Sequence, residues 1–361
     1  MSAFIDGFFN VIKPAGMTSF DVIRRIRPRL GKARVGHAGV IDKPASGVLP
    51  VGVGRATKLF DHLSTFTKDY FAWLAFGATS PTLDLSSELA AAPGAPQNES
   101  EALKLASKLL DAARGFVGMI EQVPPAFSNV KVEGKELYRY ELAAEEVDVK
   151  PRKVEIVRFD ITRFFWFGAD GGGLSPLDVQ GLPAEDGSEK FGLPRLEIAP
   201  DRMPASPLLI AEAVIECATG AYVRALARDI GQRVGVAGVL ASLIRTRVGP
   251  FNFADAVALD ALASELAEDR DKALAAHLLP VSVVVPESKR LTVFTDEGRS
   301  LSAGNYIFAI SKRLPDAVRA GQESEVFALL EDGRLVARCS AKPRPDKPEL
   351  FKVTPEKVFL S

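Results

Sequence analysis

One carboxylate in this sequence stands where it can act on a bulky ligand. In Val35-Gly36-His37-Ala38-Gly39-Val40-Ile41-Asp42-Lys43-Pro44-Ala45-Ser46-Gly47-Val48-Leu49-Pro50, Asp42 lies among glycines and bases, in a loop leading into an apolar run. Glycines let backbone approach a ligand closely, and neighbouring cations favour the ionised carboxylate. Such a group can attack or stabilise an electron-poor sugar carbon. The same residues also suit an Asx-turn, the commoner fate of Asp beside Gly and Pro. On the residues alone both roles stand.

The elements that must position this loop are partly readable. Val22, Ile23, Ile26 and Leu30 have helical spacing, and Tyr70 to Phe76 reads as an aromatic-rich strand ending at Gly77. A helix over 101–113, capped by Ser100, is predicted after the loop Ala90 to Ser100. Strands are expected over 147–159 and 210–217, and an amphipathic helix over 223–234. A helix over 259–276 ends before Leu279-Pro280 and Pro286. Beyond it come short strands at 291–294, 306–310, 326–330 and 335–340, with Asp332-Gly333 as a tight hairpin. The Gly- and Pro-rich stretch 168–207 reads as an irregular insertion. The division is therefore a large domain over 1–280 and a small all-β module over 281–361.

Composition sets the class. The 361 residues, 47% hydrophobic and 25% charged, are ordinary for a globular protein with a large core. No apolar run is long enough for a membrane span, and the start Met1 to Asn10 is not a secretory signal. Two cysteines and three histidines exclude a disulfide scaffold or a dense His/Cys metal site, and point to the cytosol. The net charge of −1 conceals segregation. Lys13 to Lys58 carries ten Lys or Arg against two acids, Asp84 to Asp148 six against twelve, and Arg224 to Arg247 five against one. Folding can bring the two basic segments together to track a polyanion while the acidic one faces away.

Several blocks together resemble the bacterial tRNA pseudouridine-55 synthase family of the TruB type. They are Lys13-Pro14-x-Gly16-Met17-Thr18-Ser19, GHAGVIDKPASGVLP over 36–50, Gly54-x-Ala56-Thr57-Lys58, and Lys68-x-Tyr70. Gln122-x-Pro124-Pro125-x-x-Ser128-x-x-Lys131-x-x-Gly134, Tyr138 and Arg152 follow. Cys217-x-x-Gly220-x-Tyr222-Val223-Arg224-x-Leu226-Ala227-x-Asp229-Ile230-Gly231 and Leu243-x-Arg245-Thr246 complete the series in the family's order.

The resemblance implies an α+β pseudouridine synthase fold, with a mixed, largely antiparallel sheet and flanking helices, followed by a PUA-like RNA-binding domain. It implies a cofactor-free, metal-free isomerase acting on uridine 55 in the T-arm of tRNA without a guide RNA; the lack of a long basic tail or heptad array points to a monomer, and cysteine usage to the cytoplasm. Asp42 matches the catalytic aspartate, Tyr70 the tyrosine that stacks on the target base, and Arg224 the arginine paired with the aspartate. Leu243 matches an apolar wall of the base pocket, and His37 the histidine that enters the space left by the flipped base. Lys13, Lys58, Lys131, Arg152, Tyr222 and Arg245 are the further substrate-binding candidates; Lys13-Pro14 reads as a turn that places the following loop against the site, and Lys58, Lys131, Arg152 and Arg245 as phosphate contacts. Physics agrees with such a site: extruding a base costs a few kcal/mol, and stacking on an aromatic returns about 1–3 kcal/mol. A guanidinium can orient a carboxylate through two parallel hydrogen bonds.

The sequence also departs from the family pattern. Lys43 stands where a proline usually follows the aspartate, and Ser80-Pro81-Thr82-Leu83-Asp84 replaces a threonine-aspartate-threonine-x-aspartate element. Lys43 keeps alive an alternative reading as a catalytically lapsed RNA-binding chaperone. A carboxylate-dependent hydrolase is disfavoured, because most such enzymes pair two carboxylates and the Asp42 segment supplies one.

Overall fold

The structure, a computed structural model, describes residues 5–168, 174–182, 207–316, 318 and 323–360. Its larger part is built on an eleven-stranded mixed sheet among the described residues. The strands are β1 (Gly7–Lys13), β2 (Val35–His37), β3 (Ser46–Val53), β4 (Lys68–Phe76), β5 (Gly118–Gln122), β6 (Arg152–Phe167), β7 (Leu174–Leu177), β8 (Leu208–Cys217), β9 (Gly238–Val248), β10 (Phe251–Asn252) and β11 (Val257–Ala258). Their order is β7-β6-β8-β4-β9-β3-β1-β11, with β2 on β3, β5 on β6 and β10 on β9. Only the β9–β3 and β1–β11 pairings are parallel.

β4 is buried almost throughout, Phe71, Ala72, Trp73, Leu74 and Phe76 all having 2% exposure or less. A strand apolar on both faces needs cover on both, and helices supply it on one. These are α1 (Ser19–Ile26), α2 (Glu99–Arg114) and α3 (Val223–Val234), whose Val223, Leu226, Ala227 and Ile230 pack in the core with Leu74 and Phe76. Gly235, at φ 85°, closes α3 in the left-handed conformation that glycine adopts without strain.

Three predicted boundaries moved for identifiable reasons. The cap of α2 is Asn98, whose side chain accepts the Glu101 N–H at 3.0 Å, so the helix begins earlier than a Ser100 cap requires. The helix expected over 259–276 is two, α4 (Leu259–Glu268) and α5 (Arg270–His277). Asp269 leaves the helical conformation between them and caps the second through the Lys272 N–H. The strand expected over 147–159 runs instead over the sixteen residues of β6. Of the 168–207 insertion, Leu174–Leu177 forms the edge strand β7, while 169–173 and 183–206 lie outside the described residues.

The terminal part is a five-stranded sheet of β12 (Arg290–Thr292), β13 (Ile307–Ile310), β14 (Ser324–Leu329), β15 (Leu335–Arg344) and β16 (Lys347–Val358), in the order β12-β14-β15-β16-β13. Gly333, at φ 80°, turns the chain from β14 to β15, as Asp332-Gly333 predicts. Phe294, expected in a strand, instead precedes helix α6 (Thr295–Ser302). β16 was not foreseen, because Pro348 and Pro355 interrupt its pattern. The two sheets share an apolar cluster that includes Phe8, Leu59, Leu63, Phe251, Phe327 and Phe359. No helix among the described residues is long and apolar enough to cross a membrane.

Candidate active site

Asp42 occupies the loop between β2 and β3, and the backbone on both sides of it is held by buried polar groups. Ser19, at the start of α1, accepts the Ile41 N–H on its Oγ at 3.1 Å. The Gly16 N–H donates to the Lys43 carbonyl at 2.8 Å, and the Ala45 N–H to Asp42's own carbonyl at 3.1 Å. That last contact is a backbone turn through the carbonyl of Asp42, not an Asx-turn, which would use its side chain. Lys13 donates its Nζ to the carbonyls of Pro14 (2.8 Å), Met17 (2.7 Å) and Lys43 (3.4 Å). Its ammonium is fully buried, and burial together with the nearby Arg245 lowers its pKa to about 8.

Arg245, on β9, grips the same loop from the other side. Its guanidinium donates to the carbonyls of Val48 (2.8 Å), Gly39 (3.2 Å) and Val40 (3.3 Å). Its backbone lies so close to Gly47 that a Cβ there would stand 2.2 Å from the Arg245 carbonyl oxygen, so this position requires glycine. Arg245, expected at a phosphate, is instead a buried brace of this loop, and Lys13 ties the turn that follows it to Lys43. Both are buried, with their donors spent on backbone carbonyls.

Above this clamp the Asp42 carboxylate is 40% exposed, and its Oδ2 lies 2.9 Å from Nε of Arg224 on α3. The grip differs from the expected pair of parallel hydrogen bonds. The terminal nitrogens of Arg224 donate to the carbonyls of Thr82 (2.9 Å) and Phe127 (3.1 Å), and its Nε–H makes no aligned hydrogen bond. The contact is a close ion pair in a guanidinium that two other segments hold still.

A second carboxylate lies on that guanidinium. Asp84 Oδ2 is 3.9 Å from the same Nε, and its Oδ1 accepts from Thr82 Oγ1 (2.7 Å) and the Ser86 N–H (2.8 Å). The sequence reading missed Asp84 and counted one carboxylate near Asp42. Its signal was the aspartate that ends the altered Ser80–Asp84 element. Asp84 is buried and tied by hydrogen bonds, unlike the accessible Asp42, so the two do not form an exposed acid–base pair. A cavity of about 50 Å³ opens between them, walled by Ala45, Leu240 and Leu243.

Tyr70 stands on β4 directly opposite Arg245. Burial pushes its phenol up to about 12, so it is neutral at pH 7. His37, on β2, is half-buried with its Nδ1 enclosed and unpartnered, and desolvation and Arg245 lower its pKa, favouring the neutral ring. Tyr222 immediately precedes α3, and its backbone exchanges two hydrogen bonds with the Gln122 side chain, at 2.8 and 3.2 Å. Lys131 and Arg152 are exposed and line an open groove of about 530 Å³ together with Lys150. Lys58 is elsewhere: it donates to the Val358 carbonyl at 2.8 Å, where the two sheets meet.

This arrangement matches a known family. The pattern described as TruB family pseudouridylate synthase (N terminal domain) covers residues 27–167, and that of the tRNA pseudouridylate synthase B C-terminal domain covers 224–285. The chain is 33% identical over 354 residues to the tRNA pseudouridine synthase B of Nocardia farcinica, spanning 97% of this chain and 94% of that one. The protein of the same name from Thermobifida fusca is 36% identical over 260 residues, 72% of this chain and 75% of that one. The chain belongs to the TruB family of pseudouridylate synthases. This TruB-family chain is thus an isomerase. Its fold is also that of a protein in an H/ACA RNP bound to a substrate RNA containing 2'-deoxyuridine, with a TM-score of 0.62 at 19% identity, over 98% of this chain and 85% of that one. The Lys43 side chain, beside the aspartate, is exposed, and its carbonyl anchors the clamp.

Proposed function

We propose that this enzyme converts uridine 55 in the T-arm of tRNA to pseudouridine, with Asp42 acting at the ribose of a flipped-out nucleotide. The observation that carries the reading is Asp42 itself: an accessible carboxylate on a rigidly held loop, facing a buried arginine 2.9 Å away. The N1–C1′ bond breaks, the uracil turns within the cleft, and C5 bonds to C1′. The C5 hydrogen leaves as a proton and N1 gains one, so the product is an isomer. Asp42 serves either as the nucleophile at C1′ or as the group that triggers a glycal. Neutral Tyr70 and Leu243 border the base, and His37 enters the space it leaves. Tyr222, Lys131 and Arg152 contact the RNA beyond it. The cavity beside Asp42 is far below the ~300 Å³ of ordinary small-molecule pockets, so its walls part when the base enters.

The enzyme works as a cytoplasmic monomer without a guide RNA, its terminal sheet serving as a PUA-like RNA-binding domain from about residue 281. The test is tritium release from unmodified tRNA labelled at uridine C5, comparing the native chain with Asp42→Asn. Release by the native chain and none by the variant supports the reading. No release from either, with RNA still bound, replaces it with the chaperone reading and makes Lys43→Pro the next variant. RNA affinity falls as salt rises, because phosphate contacts release counterions; an affinity flat across salt contradicts the basic surface.

A further inference from the structure

Two large apolar side chains are exposed at the loop that carries Asp42. Phe20 is 49% exposed and Val40 61%. They flank one hydrogen-bonded junction: Phe20 follows Ser19, whose Oγ accepts the Ile41 N–H, and Val40 precedes Ile41. Asp42 is the next residue. Phe20 is therefore fixed beside the mouth of the site by the same bond that fixes the catalytic loop.

The surroundings of Phe20 are cationic. The Arg24 guanidinium, one turn along α1, stands 5.2 Å from the Phe20 ring centroid. Exposed Arg27, Lys32 and Arg34 continue the basic run away from the site. Between Lys13 and Lys58 the acids are Asp21 and Asp42 alone. Asp42 faces Arg224, and Asp21 is taken up by Thr18, with Arg24 3.4 Å away. An exposed aromatic ring with a guanidinium over it, in a basic strip, has the features of a single-stranded nucleic-acid platform: a π-face for a base and cations for its phosphates.

We propose that Phe20, backed by Arg24 and bordered by Val40, stacks on an unpaired nucleotide of the substrate RNA adjacent to the flipped uridine. The proposal rests on the pseudouridine synthase reading of Asp42 and adds to it a second base contact outside the pocket. The stacked neighbour holds the RNA backbone open at the site. Phe20 acts in binding and orientation and takes no part in bond making.

The experiment uses the full chain and a T-arm stem-loop tritiated at C5 of the target uridine, with native, Phe20→Ala, Phe20→Trp and Asp42→Asn proteins. Phe20→Ala raises KM about tenfold, the order expected for one stacked base, with kcat changed far less. Phe20→Trp retains the native KM. A second substrate set carries one abasic position at a time around the target. One of these removes the difference between the native chain and Phe20→Ala, since there is no base left to stack. A KM for Phe20→Ala within twofold of native, or a tenfold rise that no abasic position erases, overturns the proposal. So does a Phe20→Ala change in sedimentation without one in RNA affinity, which assigns the face to a second copy of the chain. Native release with none from Asp42→Asn shows that the synthase reading stands in each case; absence of native release removes that reading instead.

Discussion

Two regions of the molecule use cations heavily, and they use them in opposite ways. Around Asp42, Lys13 and Arg245 are buried and bonded to backbone carbonyls. Where the two sheets meet, Arg338 faces the carboxylates of Asp61 (3.3 Å), Glu356 (3.4 Å) and Glu325 (3.6 Å), and Lys357 also reaches Asp61. Those carboxylates are between 31% and 51% exposed. The buried cations have no solvent to fall back on, so every donor must find a fixed carbonyl, and the loop becomes rigid. The seam carboxylates are solvated and their pairing screened, and the apolar cluster beneath them does the joining. Cations thus shape the Asp42 loop but only trim the junction of the two sheets.

Arg245→Met gives the largest separation of the two. It leaves the carbonyls of Gly39, Val40 and Val48 without that donor and is expected to cost on the order of 3–5 kcal/mol in chemical denaturation. Arg245→Lys fails to restore it, since a point charge cannot serve three separate carbonyls with the geometry of a fork. A loss below about 1 kcal/mol for Arg245→Met breaks the comparison.

Lys13 comes next, through pH. Its folded pKa of about 8 lies below the ordinary 10.5, so between those values the unfolded chain holds a proton the folded chain has released. Stability from this group therefore rises with pH across that window, by on the order of 1–3 kcal/mol. The native chain gains on Lys13→Met from pH 8 to 10.5; a constant difference refutes the buried ammonium. Tyr70, Cys217 and Cys339, each pushed up to about 12, act in the opposite sense at high pH and cancel in this comparison.

At the seam, Arg338→Ala costs only about 1 kcal/mol, and less in high salt, because its partners are solvated. Lys58→Ala is smaller still. Its ammonium lies on the Val358 carbonyl, so thermal unfolding shifts by no measurable amount.

The same contrast explains what the sequence could and could not disclose. The strand around Tyr70 and the helix 223–234 were legible because period and composition agree there. Asp42, Tyr70, Arg224 and Leu243 were picked from the matching blocks; the structure puts Arg224 2.9 Å from the Asp42 carboxylate and Leu243 on the cavity beside it, with Tyr70 buried on β4 opposite Arg245. A cation, however, carries no sequence mark of its burial. Arg245 reads as a phosphate contact because arginine at the surface and arginine in a carbonyl cage are the same letter. Asp84 stayed hidden because its bonds to Thr82 and Ser86 are local turn contacts like those of any loop aspartate, and its approach to Arg224 exists only in the folded chain. The break at Asp269 was lost for a similar reason: the residues on both sides favour helix, and a cap is a choice between two helices.

The apolar cluster between the sheets sets a schedule for synthesis. Phe8 and Phe359 belong to one packed group although most of the chain separates them. A ribosome adding about 5–20 residues per second needs roughly 20–70 s to travel from one to the other. Throughout that interval Phe8, Leu59, Leu63 and Phe251 emerge without their final cover, sticky surface in a crowded cell. Closure of the cluster therefore waits until Phe359 has been made.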